Sequence, residues 1–246
     1  MGVSIGSASV SATPDPAPPV IDSHPDRWRM LALLSAAELL GMALWFAGSA
    51  VAPELQRLWQ LDGAEVAWLT IAVQLGFVAG TAISAFLNLA DVVPARTLFT
   101  IAALSGAVAN VGLAFADGLT PALLSRFLAG ACLAGVYPPA MKMTSTWFRQ
   151  RRGLAVGTIV GALTVGKAGP YLIGALPGTT VLGLVALSSA SAVLAAALIW
   201  FGYRDGPFAF PSRPFDLHLV RSVVREPRFR QATGGYLGHM TELYPV

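Results

Sequence analysis

Cysteine is almost absent from this chain. Cys132 stands alone among 246 residues and three histidines accompany it, so neither a disulfide framework nor a Cys/His metal cluster can be assembled. Charge is nearly as scarce. Aspartate, glutamate, lysine and arginine together make 12% of the residues, where soluble domains carry about a quarter. From Met30 to Ala52 the one charged residue is Glu38. From Ala67 to Leu89 there is none, and from Ala168 to Tyr203 there is none again. An ordinary water-soluble domain is thereby excluded.

What fills the gaps is apolar. Hydrophobic residues make 55% of the chain, in runs long enough to cross a bilayer as helices of about 20 residues. Six spans are predicted, at about 29–52, 65–89, 97–117, 120–147, 154–176 and 179–203, with Gly- and Pro-marked turns at Pro53, 61–65, 90–96, 116–120, 149–153 and 177–178. Twelve of the sixteen Lys and Arg fall on the side of the N-terminus, and the opposite loops hold just Arg57. This positive-inside bias predicts a multi-pass protein of the cell (inner) membrane with a cytoplasmic N-terminus. The basic balance is spent on orientation, and no nucleic-acid partner is expected from it.

Outside the spans, residues 1–28 are rich in Ser, Ala and Pro, with no apolar stretch before a cleavage site. They read as a disordered cytoplasmic tail rather than a removable signal. Residues 29–203 form the membrane bundle and 204–230 a basic cytoplasmic linker drawn to anionic lipid. Residues 231–246, ending in "GYLGHMTELYPV" with His239 and Glu242, read as the start of an incomplete seventh helix.

Four ionisable side chains lie inside spans: Glu38, Arg126, Lys142 and Lys167. Each costs about 2.5–3.5 kcal/mol near a helix centre on the insertion scale, so each should face protein or water. Lys142 is near the inner end of span four, reads as a snorkelling anchor and is set aside. The other three approach the bilayer centre from different helices. Two cations against one anion favour an anionic solute, with Glu38 able to carry a coupling proton. The alternative is an internal Glu38–Lys167 ion pair, leaving Arg126 to an anion or to backbone carbonyls. Helical spacing puts Glu38, Gly41, Met42, Trp45 and Ser49 on one face of span one, and Thr70, Gln74, Thr81 and Asn88 on one stripe of span two. Thr164, Lys167 and Tyr171 share a side of span five. The candidate solute-binding set is therefore Glu38, Trp45, Gln74, Arg126, Lys167 and Tyr171. Gly76 and Gly80, and Gly157 and Gly161, form small-residue pairs suited to close helix packing. Pro170 and Pro138-Pro139 are expected to kink spans five and four. The spans contain no histidine, no HExxH and no GxSxG, so no cofactor, catalytic metal or Ser–His site is expected and the chain does not read as an enzyme.

Three segments resemble the major facilitator superfamily of transporters. "LNLADVVPAR" (87–96) is similar to its loop signature at Leu89, Asp91 and Arg96, with Leu87 and Pro94 where the family has glycine. "RFLAGACLAG" is similar to its Arg-x-x-x-Gly motif at Arg126 and Gly130, and "GTIVGALTVGKAGP" to its glycine-rich Gly-Pro motif. The resemblance implies an all-α bundle of two inverted three-helix repeats, solute bound near the midplane between two halves, and alternating access. It also implies gating roles for Asp91 and Arg96. Members usually have twelve spans, so the expectation is the N-terminal six-helix half plus a partial seventh helix. Either the chain transports a small anionic solute, with a proton as coupling ion, or it is a truncated half that needs a C-terminal half or a second copy.

Overall fold

The computed structural model describes residues 24–176, 178–208, 225–231 and 233–235. Residues 1–23 of the N-terminal tail, most of the linker and the His239–Glu242 segment lie outside the described residues, and the first helix begins at Arg27, inside the segment read as tail. Among the described residues the chain is helical without strands, and six helices are long and apolar enough to cross a membrane.

Span one runs from Arg27 to Trp59 in two segments, Arg27–Gly41 and Ala43–Trp59, with a turn at Met42. It passes straight through Pro53, where the sequence predicts a connection. Val51, Ala52 and Leu55 are buried on either side of the proline, and that packing outweighs the one backbone donor it removes. The helix ends instead at Gln60, which adopts left-handed φ 53°. Span two, Gly63–Phe86, starts three residues later behind a capping box: Asp62 accepts from the Glu65 amide at 2.8 Å, and Glu65 accepts from the Asp62 amide at 2.9 Å.

Span three is Ala95–Phe115, its last turn a 3-10 helix over Gly112–Phe115. Span four, Leu119–Ser145, breaks between Leu133 and Tyr137, just before the Pro138-Pro139 pair. Span five, Arg152–Gly174, continues unbroken through Pro170. Span six covers Val181–Gly202 and closes with a π-helical turn, Leu198–Gly202.

The packing obeys an internal symmetry. Span four packs on spans two and three, span one on spans five and six, and span three on span six. Exchanging one with four, two with five and three with six reproduces that pattern, as two inverted three-helix repeats require. Lipid supplies no hydrophobic drive between helices, so contact depends on close backbone approach. A Cβ on Gly76 would lie 2.0 Å from the Phe127 carbonyl oxygen, and one on Gly130 2.0 Å from that of Val73. The repeat-related contact, span five on span one, uses Gly166 against the Leu39 carbonyl, at 2.2 Å. Gly157 and Gly161 meet nothing within 4 Å among the described residues, so the small-residue pair predicted to pack span five does not do so within this bundle. Spans two and five are the least covered, each with fewer than a quarter of its window buried. They carry the large unpartnered face of the bundle.

Candidate functional site

The central cluster joins spans one, two and five. Lys167 Nζ lies 4.5 Å from the centre of the Trp45 ring, a cation–π contact. Phe77 also meets that indole, in a T-shaped contact with ring centroids 5.1 Å apart. About two turns earlier in span one, Glu38 is completely buried, and neither carboxylate oxygen accepts a hydrogen bond. Glu38 and Lys167 influence one another through space without touching. The ion-paired alternative is therefore not the arrangement adopted, and Lys167 spends its charge on an aromatic face. Ser35, one turn from Glu38 on the same side, also has a buried, unpartnered hydroxyl. Tyr171 packs at 5.7 Å on Phe46 and stays half exposed, and Gln74 is exposed on span two. Ser49 and Thr70 share a hydrogen bond of 2.6 Å that ties spans one and two.

Arg126 sits apart from this face. It is fully buried, and its guanidinium donates to the carbonyls of Leu44 at 3.1 Å and Trp45 at 2.5 Å and to Asn110 Oδ1 at 3.2 Å. Of the two ways of serving Arg126 that the sequence left open, backbone carbonyls occupy it here. Gly48 makes the room, since a Cβ there would fall 2.5 Å from Arg126 Nε.

A second polar cluster lies at the end of the bundle where Arg27, Arg96, Arg149 and Arg204 gather. Lys142, read from sequence as a lipid anchor, instead bonds Asp91 Oδ1 at 2.9 Å and the Ala90 carbonyl. Arg96 stacks on the Trp200 ring at 4.8 Å and donates to the Trp200 carbonyl. Thr146 at the end of span four accepts from the Gly206 amide at 3.1 Å and hydrogen-bonds Tyr203 at 3.3 Å, while Trp147 donates to the Arg204 carbonyl at 3.0 Å. Trp147 is thus a buried tie to the chain just past span six. Burial pushes the Tyr203 phenol pKa up, which keeps it a neutral hydroxyl. These residues ring a cavity of about 650 Å³ lined by Asp91, Arg96, Lys142, Tyr203 and Asp205. Among the described residues no group of His, Cys, Asp and Glu is placed to hold a metal.

The sequence model of the Major Facilitator Superfamily matches residues 33–238. The chain belongs to the major facilitator superfamily. It is a multi-pass membrane protein of a transporter family, not an enzyme. Among solved structures it resembles the crystal structure of a bacterial homologue of the human lysosomal transporter Spinster, in an inward-facing and unoccupied conformation. The TM-score is 0.64 at 19% identity, over 81% of this chain and 48% of that one. That likeness is one of fold, and the chain spans about half the length of the structure it matches. Comparison with curated proteins gives no match.

Sequence reasoning missed Asn110, Thr146 and the role of Lys142. Asn110 had a signal: an amide deep in an otherwise apolar span needs a partner inside the bundle.

Proposed function

We propose that this six-helix unit is the N-terminal half of a secondary active transporter that moves a small anionic solute by alternating access. The observation that carries the reading is the Lys167 ammonium resting on Trp45 with no carboxylate bonded to it. That cation lies mid-span on the sparsely covered face formed by spans two and five. A solute anion can take its free donors, with Tyr171 and Gln74 alongside. Arg126 shapes span one in this conformer and contributes its charge from behind. Glu38, buried and unpartnered, is the group for a coupling proton. Asp91 and Arg96 act in gating. The positive-inside count supports a cytoplasmic N-terminus in the cell inner membrane, with 1–28 as tail and 204–230 as linker to a further helix.

A second reading is favoured by the 48% coverage of the matched structure: the unit folds in the membrane but transports only when joined by a C-terminal half or a second copy. Proteoliposome uptake of a panel of labelled carboxylates and inorganic anions, with the chain alone and with a co-expressed C-terminal half, separates the two. Flux equal to empty vesicles in both preparations sinks both.

A further inference from the structure

The polar side chain that joins spans three, four and six is not a charged one. Asn110, on span three, is completely buried. Its amide nitrogen donates to Ser189 Oγ at 3.0 Å and Ser188 Oγ at 3.1 Å and lies 3.4 Å from the Val185 carbonyl, all on span six. Its oxygen accepts from Arg126 Nη1 at 3.2 Å. Span six therefore orients the amide, and the amide orients the guanidinium.

Arg126 passes the restraint on to span one. Its other bonds end on the carbonyls of Leu44 and Trp45, immediately beyond the place where that helix is interrupted. At the turn around Met42 the Trp45 amide bonds back to the Met42 carbonyl, three residues rather than four behind it. A helix broken at that point loses part of the ladder that would fix the direction of Trp45. The guanidinium supplies an external grip at the same level. Trp45 in turn is the ring on which Lys167 rests. The alternative role for Asn110, a purely structural plug between spans three and six, would need only the two serines and not the fourth bond, to Arg126.

We propose that Asn110 is a positioning residue for the anion site: acting through Arg126, it sets the backbone at Leu44–Trp45 and so holds the indole beneath the Lys167 ammonium. The inference rests on the reading of Lys167 and Trp45 as the solute contact.

The chain has two lysines, Lys142 and Lys167, so a Lys142→Arg background leaves Lys167 as the single side-chain amine. Reductive methylation of that full-length protein with ¹³C-formaldehyde gives one dimethyl-lysine signal, which an indole ring at this distance displaces upfield. The expected result is an upfield signal in the parent that collapses to the random-coil position in Trp45→Ala and in Asn110→Ala, and is retained in Asn110→Asp, which keeps the acceptor for Arg126. Should Asn110→Ala fail to fold, Ser188→Ala/Ser189→Ala removes two of the amide's acceptors while sparing both Asn110 and Arg126, and should move the signal part of the way. A folded Asn110→Ala or double-serine variant with an unmoved signal overturns the inference, whatever its thermal stability. An undisplaced signal in the parent overturns the Lys167–Trp45 reading itself, and it does so before Asn110 is touched.

Discussion

The Lys167 ammonium lies 4.5 Å from the centre of the Trp45 indole, although a buried carboxylate, Glu38, is available about two turns away on the same span as that indole. A cation on a ring keeps its hydrogen-bond donors free, whereas one bonded to a carboxylate does not. That distinction separates a site that can accept an anion from a lock between two helices.

Removing the ring should therefore weaken solute binding while leaving the fold intact. A desolvated cation–π contact is worth about 2 kcal/mol, or roughly 30-fold in affinity. Trp45→Ala is expected to raise the half-saturation concentration by up to that factor, Trp45→Phe by less, and Lys167→Ala to remove anion binding altogether. Saturation curves from proteoliposomes measure this. Normal anion binding by Lys167→Ala would remove the cation from the site.

The glycine contacts make a prediction about stability that contrasts three tightly packed sites with two open ones. Gly76→Ala, Gly130→Ala and Gly166→Ala each drive a Cβ into a backbone carbonyl, which cannot swing aside. Each should cost about 3 kcal/mol, the upper part of the range for overpacking, and lower the melting temperature in detergent. Gly157→Ala and Gly161→Ala open onto free space and should be neutral, or stabilising by up to about 1 kcal/mol from helix propensity. If either lowers the melting temperature of the six-helix unit as Gly166→Ala does, the packing described for span five is wrong.

The distribution of these contacts explains which parts of the architecture were legible in the sequence. Span number follows from long uncharged runs, because the bilayer forbids almost every alternative to a helix, and the inverted repeats were implied by the family resemblance of a handful of motif residues. Helix ends were less legible. Pro53 reads as a stop, yet the helix continues to Trp59 because Val51, Ala52 and Leu55 are buried around it. Partners were least legible of all. Nothing in spacing along one helix tells that Lys142 meets Asp91, 51 residues away, or that Arg126 reaches two carbonyls on span one. Those depend on how helices are placed around one another, and single-helix periodicity does not contain that.

The Lys142–Asp91 pair should matter more for turnover than for stability. Both side chains are about a third exposed, and at that exposure an ion pair contributes about 0–1 kcal/mol. Lys142→Ala is thus expected to leave the melting temperature nearly unchanged but to slow transport, and the exchange Lys142→Asp/Asp91→Lys to restore part of the rate. A rate unaffected by Lys142→Ala and Asp91→Asn would exclude the pair from gating.

Glu38 provides the test of coupling. Its carboxyl is fully buried and lacks any hydrogen-bond partner; a buried polar group in that condition costs free energy without adding to the packing. On the proposed reading, this carboxyl is kept for the coupling proton. Glu38→Gln keeps the shape and removes the proton exchange. The expected outcome is a protein at least as stable as the parent, in which an imposed pH gradient no longer drives accumulation while solute exchange at equal concentrations continues. A pH-sensitive dye inside the vesicles should record solute-dependent proton entry in the parent and none in the variant. Undiminished gradient-driven uptake by Glu38→Gln would assign coupling to another group or another ion. Loss of exchange as well would make Glu38 part of the solute site rather than a separate proton carrier.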